Sequence, residues 1–498
     1  MNDQKNNRNA QGPDTRDSEK ELGVLTRRNL LVGGASASVI AASSMIGASA
    51  EPHEQKPHDQ NQGHVIVVGG GFCGVTAARE LTAYGYNVTL LEARNRLGGR
   101  TFTAPFADEM VDMGGTWVHW LQPHVWAEIS RYGMELEETL GAVADDIIYL
   151  DYEGKRHTAK SSSFWNSREA FDQVFDKFFA NAYWIMPRPA DPFADDQWVK
   201  EDRYSIQDKL DSTDLSEIER IMCDMFLTTC GSAPPEEISW VDMMRMYALS
   251  GYSGVVFNDV ASRFKIKGGT KTLLDRIAAD SRAQIRLATP VYSVTQTADG
   301  VEVVTDADEV IKADALISTV PLNVLKDVKF TPALSAGKLA VSRQTHAGQG
   351  TKIHIQLDKE YPIFSGWAPG GNTPLNYILW DGVKNGHTHL IAFGPSTETL
   401  DMNDGDAVQA AIRQFLPDAN VINAFGYGWN VDPYSQGVWA ISRPGQMSKY
   451  IKDLQAAEGR IHFASADWAS GWRGTIDGAI EQGLVTARNV RKQLSEQA

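Results

Sequence analysis

Apolar positions along the chain change period several times, and each change marks an element. Residues 64–68, HVIVV, form a short apolar run of strand type. A glycine turn follows, then 3.6-residue spacing that predicts a helix, then a second apolar run at 87–91, NVTLL. From 121 to 261 the pattern predicts a mainly helical region, with helices over 126–132, 168–182, 205–210 and 216–228. Pro187, Pro189 and Pro192 interrupt it with an extended loop. Residues 264–267 predict a strand, and Gly268-Gly269 opens a helix through Ala279. Runs at 283–287, 291–296, 301–305 and 310–312 predict β hairpins, with a turn at Asp299-Gly300. Residues 315–320 predict a buried strand ending at Pro321, and 352–357 and 388–393 strands of a second sheet. A helix over 406–415, a strand over 460–465 and a final helix over 474–492 complete the chain, which has no internal repeat.

The alternation of strands and helices around the first glycine turn predicts an α/β chain, and 498 residues are too many for one ordinary core, so two domains are expected. A hydrophobic fraction of 42% with 22% charged residues is that of a soluble globular protein. A net charge of −16 argues against nucleic acid as a partner. Cys73, Cys223 and Cys230 match no disulfide, zinc or redox spacing and are read as structural. No metal site is expected.

The N-terminus reads differently from the rest. Residues 1–25 are polar, Arg27-Arg28 precedes a weakly apolar stretch at 30–50, and Ala48-Ser49-Ala50 offers a small-x-small cleavage signal. The pattern resembles a twin-arginine export signal over 1–50, with 51–63 as a flexible leader. It implies the twin-arginine machinery as a partner and a periplasmic or exported location. Gly33, Gly34, Gly47 and the serines make the stretch a poor membrane anchor.

Chemistry concentrates after that leader. Gly69, Gly71 and Gly74 fill a G-x-G-x-x-G spacing between strand and helix. The first permits the turn, the second admits a pyrophosphate to the backbone, and the third lets helix and strand approach. Glu92 ends the second strand 18 residues after Gly74, where a carboxylate can accept from a ribose diol. Arg96, Gly98, Gly99 and Arg100 follow as a second contact for a diphosphate, and Gly114-Gly115 marks another close backbone approach.

Four separated blocks carry a resemblance: VIVVGGGFCGVTAARE, LLEARNRLGGR, FKIKGGTKTLLDRI and IHFASADWASGWRGTIDGAIEQG. Together they are similar to the FAD-dependent amine oxidases of the monoamine oxidase type. The resemblance implies a Rossmann-like FAD domain from 64–120, 262–325 and 440–498, and an α+β substrate domain with a mixed sheet from 121–261 and 326–439. It implies cofactor contacts from Gly69, Gly71, Gly74, Glu92, Arg94, Gly99, Arg100, Gly115, Thr116, Trp117 and Val291. Asp467, Thr475 and Ile476 complete that set. Asp467 stands where the family usually has Glu, and the helix from Thr475 points its N-terminus at the flavin ring.

Three positions carry the catalytic expectations of that resemblance. Lys352 matches the lysine near flavin N5, Trp439 one wall of an aromatic pair over the flavin, and Thr475 the other wall. Many relatives have tyrosine at both walls, so an open, asymmetric cage is expected. Val438 stands where some relatives attach the flavin through cysteine, which implies non-covalent FAD. Trp117, His119, Trp120, Trp468 and Trp472 are read either as cavity wall or as core packing.

Within the family, GGTWVHWLQPHVWAEISRYG, PRPADPF and GWNVDPYSQGVW look most like bacterial nicotine-degrading enzymes. This implies oxidation of a C–N bond in an alkaloid amine, pseudooxynicotine or nicotine-like, to an imine that hydrolyses to a carbonyl and an amine. Oxidation of a polyamine or an L-amino acid is the alternative, and a non-catalytic flavin-fold binding protein the alternative of another class. The small-molecule amine is the expected partner, with dioxygen or an electron-carrier protein as acceptor. A homodimer is common in the resembling family.

Overall fold

His64–Val68 is buried from Val65 onward and forms the middle of a five-stranded sheet. The computed structural model describes residues 62–161, 168–371 and 373–497. The twin-arginine leader lies outside the described residues. The sheet order is Ile461–Phe463, Ala315–Ser318, His64–Val68, Asn87–Leu91, Gln284–Arg286, and every pairing is parallel. Its strands come from the front, the middle and the end of the chain. A parallel sheet is covered on both faces, which explains the unbroken apolar runs. The helix Phe72–Ala83 and the terminal helix Ile476–Gln497 pack on one another against this sheet. Their contact is close because Gly483 faces the Cys73 carbonyl, where a Cβ would come within 2.6 Å.

One predicted strand belongs elsewhere than expected. Residues 283–287 were expected in a hairpin, but Gln284–Arg286 runs parallel to Asn87–Leu91, with Thr89 opposite Gln284. As the edge of the sheet it is only half-covered, so its pattern imitates a hairpin strand. The hairpins begin at Val291: Val291–Gln296, Val301–Thr305 and Val310–Ala313 pair antiparallel, and Lys329–Thr331 adds a parallel edge.

The third large sheet has seven strands, in the order Val421–Gly426, Thr351–Leu357, His387–Gly394, Tyr377–Lys384, Ser365–Trp367, Asp146–Leu150, Arg156–Lys160. It is mixed, since Ser365–Trp367 pairs parallel with Asp146–Leu150 while the other pairings are antiparallel. Two of its strands correct the reading of 121–261 as mainly helical. Asp146–Leu150 and Arg156–Lys160 are a hairpin whose turn carries Gly154 at φ 76°.

The helices of that region form an aromatic core. Arg168–Phe178 stops short of 182, because Asn181 adopts a left-handed conformation (φ 66°) and starts a new turn. Glu217–Gly231 opens with a capping box between Ser216 and Glu219. Phe175, Phe179, Phe226, Tyr247 and Phe257 stack between these helices. Among the described residues, no helix is long and apolar enough to cross a membrane.

Candidate active site

A cavity of about 480 Å³ runs from the glycine turn to the seven-stranded sheet. At its front, Gly69 takes φ 107°, a conformation open to glycine, and the next helix begins at Phe72. Gly71 is the N-cap and no side chain caps that helix, so its first N–H groups remain available to an anion. A Cβ on Gly71 would lie 3.8 Å from the Gly98 carbonyl, and the Gly98 N–H donates to the Gly70 carbonyl (2.9 Å), so the two glycine loops pack side by side on the cavity wall. Gly74 does not line the cavity. A Cβ there would lie 1.9 Å from the Gly69 carbonyl, so its role is helix-to-strand packing.

Glu92 is buried on the cavity wall and ties the two loops together. Oε2 accepts from the Gly70 N–H (2.7 Å) and Oε1 from the Arg94 N–H (2.8 Å). Arg94 also lines the cavity, its guanidinium held on Asp432 and over the Tyr434 ring. Arg96, expected at a diphosphate, donates from Nη1 to the carbonyls of Leu97, Gly99 and Thr101 and lies over Phe102, while its buried Nη2 has no hydrogen-bond partner among the described residues. Val291 lines the same cavity. The exposed backbone donors, the glycine cradle and the carboxylate beside it fit the diphosphate and ribose of FAD.

Arg100 joins this end to the next. Its guanidinium donates to the Val438 carbonyl (2.9 Å) and to the Asp467 carboxylate. The Asp467 side chain is fully buried behind the wall, and its neighbours Ser465 and Ala466 line the cavity. It accepts from Arg100 and from the Leu322 N–H (2.8 Å), so it ties Arg100 to the wall. Burial would raise its carboxyl, but Arg100 outweighs that and keeps it below the usual range.

Lys352 sits on the cavity wall near the start of Thr351–Leu357 and is 4% exposed. Its ammonium donates to the carbonyls of Asp112 (2.6 Å) and Gly114 (3.1 Å) and to Thr116 Oγ1, and lies 5.0 Å from the Trp117 ring centre. Burial lowers its pKa to about 8, against the opposing pull of Asp112 and Asp381. The bend at Gly114-Gly115 brings Thr116 and Trp117 to this wall, because Gly114 approaches the Arg100 carbonyl where a Cβ would sit at 2.1 Å.

The far end is aromatic. Trp439 is fixed by Nε1 on the Cys230 carbonyl (2.7 Å) and meets Phe393 edge-on at 6.4 Å. Trp117 lies 5.7 Å from Phe393 on its other side. Thr475 lines the cavity too, but its hydroxyl is engaged. It donates to the Trp472 carbonyl (2.7 Å) and accepts from the Gly478 N–H (3.3 Å), capping the terminal helix. Gly115 and Ile476 complete the wall at the start of that helix.

Several lining residues escaped the sequence reading. Phe226, Met246 and Tyr377 carry no local signal beyond apolar periodicity, and Cys230, read as structural, also lines the cavity. Burial pushes the thiols of Cys73 and Cys230 far up, and neither is a ready nucleophile. Arg473, inside the block at 461–483 but not singled out there, is a further lining residue. Of the five doubtful aromatics only Trp117 reaches the cavity. Trp120 is 48% exposed and stacks on His119, while Trp468 and Trp472 are core, the latter bonded to the Leu121 carbonyl.

Comparison with known proteins agrees with this geometry. The family described as flavin containing amine oxidoreductase matches residues 72–491. A pseudooxynicotine dehydrogenase of a Pseudomonas species is 38% identical over 94% of this chain and 96% of its own length. A nicotine dehydrogenase of Pseudomonas putida is 36% identical over 86% of this chain and 89% of its own. Among solved structures, a triple mutant of putrescine oxidase superposes with a TM-score of 0.75 at 22% identity, covering 86% of this chain and 99% of that one. That last likeness concerns the fold.

Proposed function

Because the chain belongs to the flavin-containing amine oxidoreductase family, we propose that it oxidises a C–N bond of an alkaloid amine of the pseudooxynicotine or nicotine type. FAD supplies the two-electron oxidation, accepting a hydride equivalent from the carbon beside the amine nitrogen. Val438 at the position of the linking cysteine supports a non-covalent cofactor. In this reading 64–120, 262–325 and 440–498 build the FAD domain, and 121–261 with 326–439 the substrate domain.

The protein's share of the reaction is desolvation, orientation and proton handling. An aromatic wall excludes water and disfavours an ammonium, so the amine binds neutral with its lone pair free. Trp439 and Phe393, edge-on to one another, supply apolar ring surface for the amine to lie against. Lys352, with a pKa of about 8, holds a proton at Nζ at neutral pH and can release it in mild alkali. All three of its donors are engaged when charged, and losing the proton leaves a lone pair that only the Thr116 hydroxyl, of the three partners, can satisfy by donating. The substrate loses two electrons and two protons to become an imine, which adds water and splits to a carbonyl and an amine.

The observation that carries the substrate class is the wall around Trp439. Trp117, Phe226, Met246, Tyr377 and Phe393 are all uncharged, whereas the acids among the described lining residues, Glu92, Asp306 and Asp327, come from segments beside the five- and four-stranded sheets; a polyamine's second ammonium requires a carboxylate partner at the wall itself. Both nicotine-type relatives lend the same support. Incubation of the holoenzyme with pseudooxynicotine, followed by mass spectrometry, is expected to show methylamine and the matching aldehyde. Faster turnover of a polyamine or an L-amino acid would overturn the class, and no turnover of any amine would favour a binding protein.

Dioxygen or an electron-carrier protein completes the cycle, and the dehydrogenase names of both relatives favour a carrier. Arg27-Arg28 and the small-x-small motif at 48–50 support export by the twin-arginine route, with folding around FAD before transit. A homodimer is part of the same proposal.

A further inference from the structure

Thr116 is 5% exposed and forms a hydrogen-bonded triangle with Lys352 and the Gly114 carbonyl. Its hydroxyl donates to the Gly114 oxygen (2.9 Å), and its Oγ1 accepts from the Lys352 ammonium. The ammonium closes the triangle on the same Gly114 oxygen (3.1 Å). Nζ also donates to the Asp112 carbonyl (2.6 Å), which takes a second hydrogen from His354 Nε2 (3.0 Å). The Trp117 ring lies beside Nζ, with its centre 5.0 Å away.

These neighbours are not equivalent. A carbonyl oxygen accepts and cannot donate. His354 Nε2–H is committed to Asp112, and Trp117 Nε1–H to Thr139 Oγ1 (3.1 Å). The indole therefore offers Nζ its π face, which favours a cation and gives no hydrogen to a lone pair. Of the hydrogen-bond partners of Nζ among the described residues, only Thr116 can both accept and donate.

We infer that Thr116 is a positioning residue that lets Lys352 hold or give up its proton without stranding a polar atom in the buried wall. In the charged state Oγ1 accepts from Nζ and the hydroxyl hydrogen rests on Gly114. When Nζ gives a proton to water, it keeps two N–H donors and gains a lone pair. The two donors stay on the carbonyls of Asp112 and Gly114. The Thr116 hydrogen turns from the Gly114 oxygen to the lone pair, so the triangle reverses direction. The His354 bond to Asp112 is the same in both states. Without the hydroxyl, the ammonium has three donors for two carbonyls, and the neutral amine has an unmet lone pair. The charged state loses more, because bonds from an ionised donor are the stronger ones. The inference rests on the geometry around Lys352 and not on which amine the protein oxidises.

A change at Thr116 leaves the charged neighbours in place. Asp112 and Asp381 favour the ammonium, and Lys265 opposes it. Burial holds His354 neutral, well below its ordinary value.

The test is a titration of Lys352 itself by nuclear magnetic resonance, in FAD-loaded protein whose lysines are isotope-labelled at Cε. The Lys352 signal is the one missing from Lys352→Met. Wild type is expected to titrate at about pH 8. Thr116→Val keeps the shape without the hydroxyl, and its titration should move down by about half a pH unit or more. Thr116→Ala, a second hydroxyl-free variant, should move the same way and decides the matter where the valine does not fold. Thr116→Ser keeps the hydroxyl and should titrate with the wild type. An unmoved or raised titration in the hydroxyl-free variants overturns the inference, as does an equal fall in Thr116→Ser. A lower melting temperature with an unmoved titration makes Thr116 a packing residue. A moved titration in a protein whose flavin no amine bleaches upholds the inference and removes the proposed function instead.

Discussion

The ammonium of Lys352 lies 2.6 Å from the carbonyl oxygen of Asp112, inside a wall where burial has brought its pKa to about 8. The groups facing it are Asp112 and Asp381, which favour the charged form, and Lys265, which opposes it. The rate of flavin reduction by a neutral amine is expected to change with an inflection near pH 8. Lys352→Met should abolish that inflection and slow reduction by about 10²-fold or more, the scale of lost proton handling. The stability sign follows from the same shift. Between the lowered pKa of about 8 and the ordinary lysine value of 10.5, the unfolded chain binds more protons, so wild-type stability rises with pH there. Urea melts of the two proteins from pH 7 to 11 read that difference.

The two helix glycines of the cofactor turn should separate cleanly. Gly71→Ala meets only ordinary contacts, at 3.8 Å or more, so the apoprotein folds, but its methyl fills the pyrophosphate's approach. Gly74→Ala drives a methyl to 1.9 Å from the Gly69 carbonyl, so folding itself suffers. Far-ultraviolet circular dichroism and the flavin-to-protein absorbance ratio report the two outcomes. Glu92→Ala should also lose FAD, with affinity falling about 10–100-fold from lost charge-assisted bonds.

Asp467→Asn leaves Arg100 facing a neutral partner and loosens the Val438 carbonyl, one residue from Trp439. Breaking a buried pair costs about 3–5 kcal/mol, so a clear drop in melting temperature is expected. The native carboxyl is held below its usual value of 3.8, so its contribution is present above that pH and disappears as pH falls through the native pKa. The gap between wild type and Asp467→Asn should therefore close in acid. Melting curves from pH 7 down to pH 3 check this.

Thr475→Tyr adds a second aromatic ring to the cavity that Trp439 also lines. Turnover of a bulky secondary amine should fall more than that of a small primary amine, a shift in the ratio of kcat/KM values. Some stability should be lost as well, about 1 kcal/mol, because the hydroxyl that caps the terminal helix moves.

Legibility in the sequence followed the range of each signal. The cofactor turn was readable because its chemistry is local: Gly69, Gly71, Gly74 and Glu92 lie within one strand–helix–strand unit. The hairpin at 146–160 was missed because short strands among helices leave little periodicity, and Gln284–Arg286 because an edge strand looks alike in parallel and antiparallel sheets. The bond that fixes Asp467 was not legible, since Arg100, 367 residues away, has no local mark at that position. The substrate wall was the least legible part. Phe226, Met246, Tyr377 and Phe393 come from four separate elements and look like any other core residues until the fold brings them together.

On the proposed reading, this cavity holds a catalytic flavin that takes electrons from a pyridine alkaloid amine. Anaerobic mixing of the holoenzyme with pseudooxynicotine, nicotine and spermidine, followed at the flavin absorption band, tests it most directly. Rapid bleaching by one or both alkaloids, with little by spermidine, is the expected result. An unbleached flavin with both alkaloids, or fastest bleaching by spermidine, would contradict it.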